Sequence, residues 1–127
     1  MTLETFERWL ARYKSAWEER DPQAATALFA HDARYYETPF SEPFTGHDGI
    51  RRYWEEVPHY QRNIRFDYTI LAVEGIFGYS HWSATFERIQ SGEAVRLDGI
   101  LQVEMNEDGL CTDFREWWHR LEGGKVR

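Results

Sequence analysis

Apolar residues recur every three to four positions at the start of the chain, where Leu3, Phe6, Leu10, Tyr13 and Trp17 form one stripe among charged neighbours. That period predicts an amphipathic helix over residues 3–20. Asp21-Pro22 restarts the chain. Asp is a good N-cap and Pro suits a first turn, so a second, shorter helix is predicted over 22–30, with Ala24, Leu28 and Phe29 on its buried side. Residues 33–38 read as a short strand bounded by Pro39. After a loop with two prolines, Thr45-Gly46-His47-Asp48 resembles a capping box with Asp in place of Glu. It opens a third predicted helix, with Ile50, Tyr53, Trp54 and Val57 on one side and Pro58 as its end.

From Ile64 the period changes to two: Ile64, Phe66, Tyr68 and Ile70 alternate with Arg65, Asp67 and Thr69. Three more strand-like segments follow at about 76–90, 94–105 and 110–119. Glu74-Gly75, Ser91-Gly92 and Asn106-Glu107-Asp108-Gly109 separate them and are good turn material. The last four strands therefore form a meander of long hairpins. Helices first and an antiparallel sheet afterwards make the fold α+β. A long curved sheet needs a cover for its concave face, and the stripe of the first helix supplies one. The cone that results has an open end, a natural ligand cavity. Residues 1–122 read as one domain and 123–127 as a short polar tail.

Composition sharpens this picture. Of 127 residues, 17% are aromatic, with 6 Trp, 7 Tyr and 8 Phe, enough to build a substantial core. The net charge of -7 repels phosphate backbones, so no nucleic-acid partner is expected. No apolar run approaches the roughly 18 residues of a membrane span, and the charged N-terminus is no signal peptide, so no membrane partner is expected. With Cys111 alone there is no disulfide framework, and the cytoplasm is the expected compartment. None of His31, His47, His59, His81 and His119 pairs with another His or Cys at metal-ligand spacing. Phosphate-binding loops, dinucleotide fingerprints and the Gly-x-Ser-x-Gly elbow are missing too. Neither a metal nor a cofactor is expected.

Several strings carry a resemblance to a known family. They are Leu10-Ala11-Arg12-Tyr13, Leu28-Phe29-Ala30-His31-Asp32-Ala33, Gly46-His47-Asp48-Gly49-Ile50 and Asp113-Phe114-Arg115-Glu116-Trp117-Trp118. With the element order, they resemble the SnoaL-like branch of the nuclear-transport-factor-2-like superfamily, over roughly residues 5–120. The resemblance implies a cone-shaped, curved antiparallel sheet wrapped around an N-terminal helix, with three helices in all. Tyr13 falls where ketosteroid isomerase places its oxyanion-hole tyrosine, but that enzyme's base falls on Thr38 and its second acid on Leu101. The Arg-x-Asp pair of limonene-epoxide hydrolase falls on Trp82 and Ala84, and its last-strand acid on Glu116. Neither of those two reactions is therefore expected.

Strand alternation assigns faces once one residue is anchored. With Trp118 inward, as the resemblance implies, Glu116 and Phe114 point inward too, as do Trp82, Ala84 and Phe86, and Leu97, Leu101, Val103 and Met105. Glu116 is the ionisable group in a ring-lined interior, where lost hydration raises its pKa and makes it a general acid or base. Tyr13 is placed to donate to a carbonyl or oxyanion, and Thr38 to hold a water or substrate oxygen. Trp17, Tyr36, Trp54, Phe66, Trp82, Phe86, Leu101, Phe114 and Trp118 are the candidate ligand wall. The competing reading pairs Glu116 with Arg34 or Arg96 in a purely structural role and makes Tyr13 a core tyrosine. The expected function is cofactor-free acid–base chemistry of isomerase, cyclase, dehydratase or hydratase type on a small apolar organic ligand. The alternative is a non-catalytic binding or sensing protein with the same cavity. Phe77, Tyr79 and Trp117 gather on the outer sheet face, through which members of the superfamily often pair, so a homodimer is expected.

Overall fold

The computed structural model describes residues 1–123 and 125–126. Helix α1 spans Leu3–Glu18, α2 Pro22–Thr26 and α3 Gly46–Tyr60. The strands are β1 Phe29–Tyr36, β2 Phe44–Thr45, β3 Gln61–Glu74, β4 Phe77–Arg88, β5 Ala94–Met105, β6 Cys111–Glu122 and β7 Lys125–Val126. They form one curved, mixed sheet in the order β2-β1-β6-β5-β4-β3, with β7 also on β6. Strands β3 to β6 are the antiparallel meander that the two-residue period predicts. The β1–β6 pairing is parallel. The α+β cone is thus the observed fold.

Helix α1 buries Phe6, Trp9, Leu10, Tyr13, Ala16 and Trp17. Leu3, placed on the stripe from its spacing, is 62% exposed at the first turn, and Trp9 takes part instead. The helix starts on a capping box: Thr2 Oγ1 accepts from the Thr5 N–H at 3.1 Å, and Thr5 Oγ1 accepts from the Thr2 N–H at 2.9 Å. The box expected at Thr45 does not form, since Thr45 is the N-cap of α3 without a side-chain hydrogen bond and Asp48 holds Arg51 at 3.2 Å. Pro58 does not end α3. It sits in the last turn, where it removes a single backbone donor, and the helix runs on to Tyr60 and directly into β3. The second helix stops at Thr26, and Phe29 belongs to β1, where the Cys111 N–H donates to the Leu28 carbonyl at 3.0 Å.

Strand β3 is an edge of the sheet, and its open side is guarded by α1. The Glu18 carboxylate accepts the Phe66 N–H at 2.9 Å, and the Lys14 ammonium donates to the Phe66 carbonyl. The two side chains also pair with each other at 2.8 Å. Backbone groups that would invite another strand are thereby occupied. Glu18→Ala should leave the Phe66 N–H unpartnered and cost about 1–3 kcal/mol, read as a lower urea midpoint at unchanged slope. Glu18→Gln, which keeps an acceptor, should lose less.

Candidate functional site

At one end of the cone, α1, α3, the end of β1 and strands β4 to β6 enclose a cavity of about 170 Å³. Trp17 comes from α1, Trp54 and Val57 from α3, Trp82 and Phe86 from β4, Leu97 from β5 and Trp118 from β6. Polar groups reach it as Tyr13, Tyr35, Glu37, Tyr53, Gln61 and Glu116, with Arg88 and Arg120 among its partly exposed members. The rings brace one another: Tyr13, Trp17, Tyr35 and Tyr53 all stand near-perpendicular to Trp54, at 83–89°. The Trp17 indole donates to Gln61 Oε1 at 2.8 Å, which fixes the junction of α3 and β3 against α1.

Trp118 closes one side. Its indole N–H donates to the Glu37 carbonyl at 2.9 Å, and Arg120 lies over its ring at 5.9 Å. The ring can lie there because residue 99, opposite it on β5, is glycine. A Cβ at Gly99 would stand 2.8 Å from the Trp118 Cβ and 2.2 Å from the Trp117 carbonyl oxygen.

Glu116 is 7% exposed and makes no hydrogen bond or ion pair with any described residue. Burial, and secondarily the neighbouring Glu37, holds its carboxyl well above the usual range. Its surroundings thus favour the protonated form, which has a proton to donate. Arg34, offered by the sequence as a partner, pairs instead with Asp113 at 3.4 Å, and Arg96 is exposed. Asp113 is the instructive contrast. It lies on the opposite face of the same strand, is 5% exposed, and holds both Arg34 and Arg115, the latter at 2.8 Å. A buried structural acid on β6 receives two guanidinium groups; Glu116 receives none.

Tyr13 and Tyr35 share a hydrogen bond of 3.2 Å between their hydroxyls. Burial, with Glu116 adding to it, raises both far above the ordinary tyrosine value. Both stay protonated, so one of their two hydroxyl protons is left uncommitted. Tyr53 is raised by the same causes and donates to Glu37 Oε2 at 2.6 Å, the short contact of a hydroxyl on a carboxylate. The cavity thus holds one carboxyl as a donor and one as an acceptor.

The residues marked out by sequence divide. Glu116, Tyr13, Trp17, Trp54, Trp82, Phe86 and Trp118 line the cavity. Phe66, Leu101 and Phe114 are fully buried in the core behind it and are not wall residues. Tyr36 lies on the outer face, with the Arg115 guanidinium 4.2 Å from its ring centre, because inward parity on β1 runs through Ala33 and Tyr35. Thr38 is turned away too. Its hydroxyl accepts the Phe40 N–H at 3.1 Å, and it lines an outer groove with Pro39, Ile100 and Trp117 that shares Glu37, Glu116 and Trp118 with the cavity. Its neighbour Glu37 occupies the cavity instead, and with Tyr35 and Tyr53 it was missed. The acid in Tyr36-Glu37-Thr38-Pro39, two residues before a proline, was the available signal.

The sequence model of a family described as a SnoaL-like domain matches residues 7–114. Among solved structures, a crystal structure of a candidate isomerase from Bacillus subtilis is similar, with a TM-score of 0.79 at 18% identity over 93% of this chain and 89% of that one. At that identity the likeness shows the fold alone. No curated protein matches the chain.

An acid kept neutral by burial links the site to stability. Unfolding returns Glu116 to an ordinary carboxyl near 4.5. The folded state then holds a proton that the unfolded state has released, so stability falls as pH rises from about 4.5 until the native group ionises. Between those limits, the difference in stability between wild type and Glu116→Gln should change by about 1.4 kcal/mol per pH unit, with wild type losing ground. Thermal melts of both proteins across that range check the sign.

Proposed function

Because the chain belongs to the SnoaL-like domain family, we propose that it performs acid–base chemistry on a small, largely apolar organic molecule held in the Glu116 cavity, with its own side chains moving the protons. One observation carries this reading: a buried carboxyl without a partner faces the same cavity as a second carboxyl hydrogen-bonded as an acceptor. Environments that separate two acids in this way assign a donor and a base. In the proposed step Glu37 takes a proton from the carbon beside a substrate carbonyl. The C–H electron pair moves into the carbon–carbon bond, and the carbonyl oxygen takes the Glu116 proton. The uncommitted hydroxyl of the Tyr13–Tyr35 pair supports the developing negative charge. The result is an enol, which isomerises or cyclises as its own structure dictates. The description of the Bacillus subtilis neighbour is compatible with an isomerase.

On any carbonyl compound the protein converts, Glu116→Gln should lower kcat by about 10²–10⁴-fold with an unchanged far-UV circular dichroism spectrum. A full rate in that variant overturns the assignment. A compound bound tightly and recovered unchanged after long incubation favours the non-catalytic alternative. The homodimer is part of the proposal: Trp117 and Ile100 stand 45% and 36% exposed on the outer sheet face. Light scattering should return twice the mass of the 127-residue chain, and a monomer mass removes it.

A further inference from the structure

Size, polarity and charge of the cavity together narrow the ligand beyond "small and apolar". A volume of about 170 Å³ is close to the roughly 150 Å³ of an apolar cavity that holds a single benzene. The walls around that volume are rings from α1, α3, β4 and β6, rigidly packed against one another, so they do not collapse to grip something smaller.

The polar groups have unequal needs. Glu116 is buried without a hydrogen-bond partner, which favours its protonated, donating form, and the Tyr13–Tyr35 pair has one spare hydroxyl proton. Both call for an acceptor on the ligand, since a buried polar group left unmatched is costly. Glu37 already accepts from Tyr53 and presents negative charge. A ligand carboxylate would lose its hydration beside that charge and would need a cation in return. The guanidiniums at the cavity already have carboxylates beside them: Arg88 holds Glu93 at 3.6 Å and also Glu122, and Arg120 forms an ion pair with Glu122 at 3.3 Å, though its buried Nε makes no hydrogen bond.

We propose that the ligand is a neutral carbonyl compound with a single five- or six-membered ring, its oxygen accepting from Glu116 and its ring lying among Trp17, Trp54, Trp82 and Phe86. This rests on the same site as the acid–base reading but not on turnover. The site would discriminate twice, by volume against a second fused ring and by charge against acids of the same size.

The test is equilibrium binding by titration calorimetry on the full chain, with acetophenone and cyclohexanone as probes and benzoate and 2-acetylnaphthalene as the excluded partners. Acetophenone and cyclohexanone should bind at least about tenfold more tightly than either excluded compound. Glu116→Gln keeps a donor and should bind the two ketones within a few-fold of wild type. Glu116→Leu keeps the bulk without a donor and should bind them about tenfold more weakly. Benzoate or 2-acetylnaphthalene binding as tightly as acetophenone overturns the ligand class. So does the absence of binding by both ketones, or an undiminished affinity in Glu116→Leu. Ketones that bind in this pattern and emerge unchanged would defeat the proposed chemistry and leave the ligand class standing.

Discussion

The concave face of this sheet is apolar, and it exists in water only because α1 lies across it. Phe6, Trp9, Leu10, Tyr13 and Trp17 fill the hollow one turn after another. Each large apolar side chain so buried contributes about 1.5–3 kcal/mol. The clip of Lys14 and Glu18 on the backbone of Phe66 sets how deep the helix sits. In the first half of α1, Phe6 and Leu10 are fully buried. At the C-terminal turns the rings of Tyr13 and Trp17 meet Trp54 and Trp82 edge to face or tilted, and space remains between them. The core and the cavity wall are one set of side chains, so the cavity has the rigidity of the core.

That rigidity explains how a carboxyl survives there alone. In a wall able to rearrange, an arginine would reach Glu116. Arg34 and Arg115 point the other way, because alternation puts them on the face of Asp113, and Arg120, which does reach the cavity, pairs with Glu122. Two acids three residues apart on one strand therefore meet opposite fates. One is paired with two guanidinium groups; the other has no partner, and its burial favours the protonated form.

Period and alternation made most of this legible. The two-residue period placed β3 to β6, and Trp118 as an anchor placed Glu116, Trp82 and Phe86 inward. Reading failed where the period was interrupted. Phe29, Ala33 and Tyr35 share one buried parity on β1, but with Phe29 assigned to the second helix the short strand had no inward anchor to separate Tyr35 from Tyr36. Glu37 lies just past the strand, where alternation no longer applies, and the resemblance drew notice to Thr38 beside it. Tyr53 was correctly set on the buried side of α3. Its role depends on a hydroxyl meeting Glu37, a contact between elements that no local pattern encodes. Pro58 misled because a proline in the last turn of a helix forfeits little.

The parallel seam between β1 and β6 has a consequence for how the protein comes into being. Residues 37 and 118, joined across that seam, are 81 positions apart. Hairpins of the meander close over short stretches, whereas this seam must wait for nearly the whole polypeptide and carries the larger loop-closure entropy. A chain still emerging from the ribosome can assemble helices and most of the sheet while its two carboxyl groups remain strangers. The cavity that brings the two carboxyls together is therefore completed only when the last long strand closes on the first.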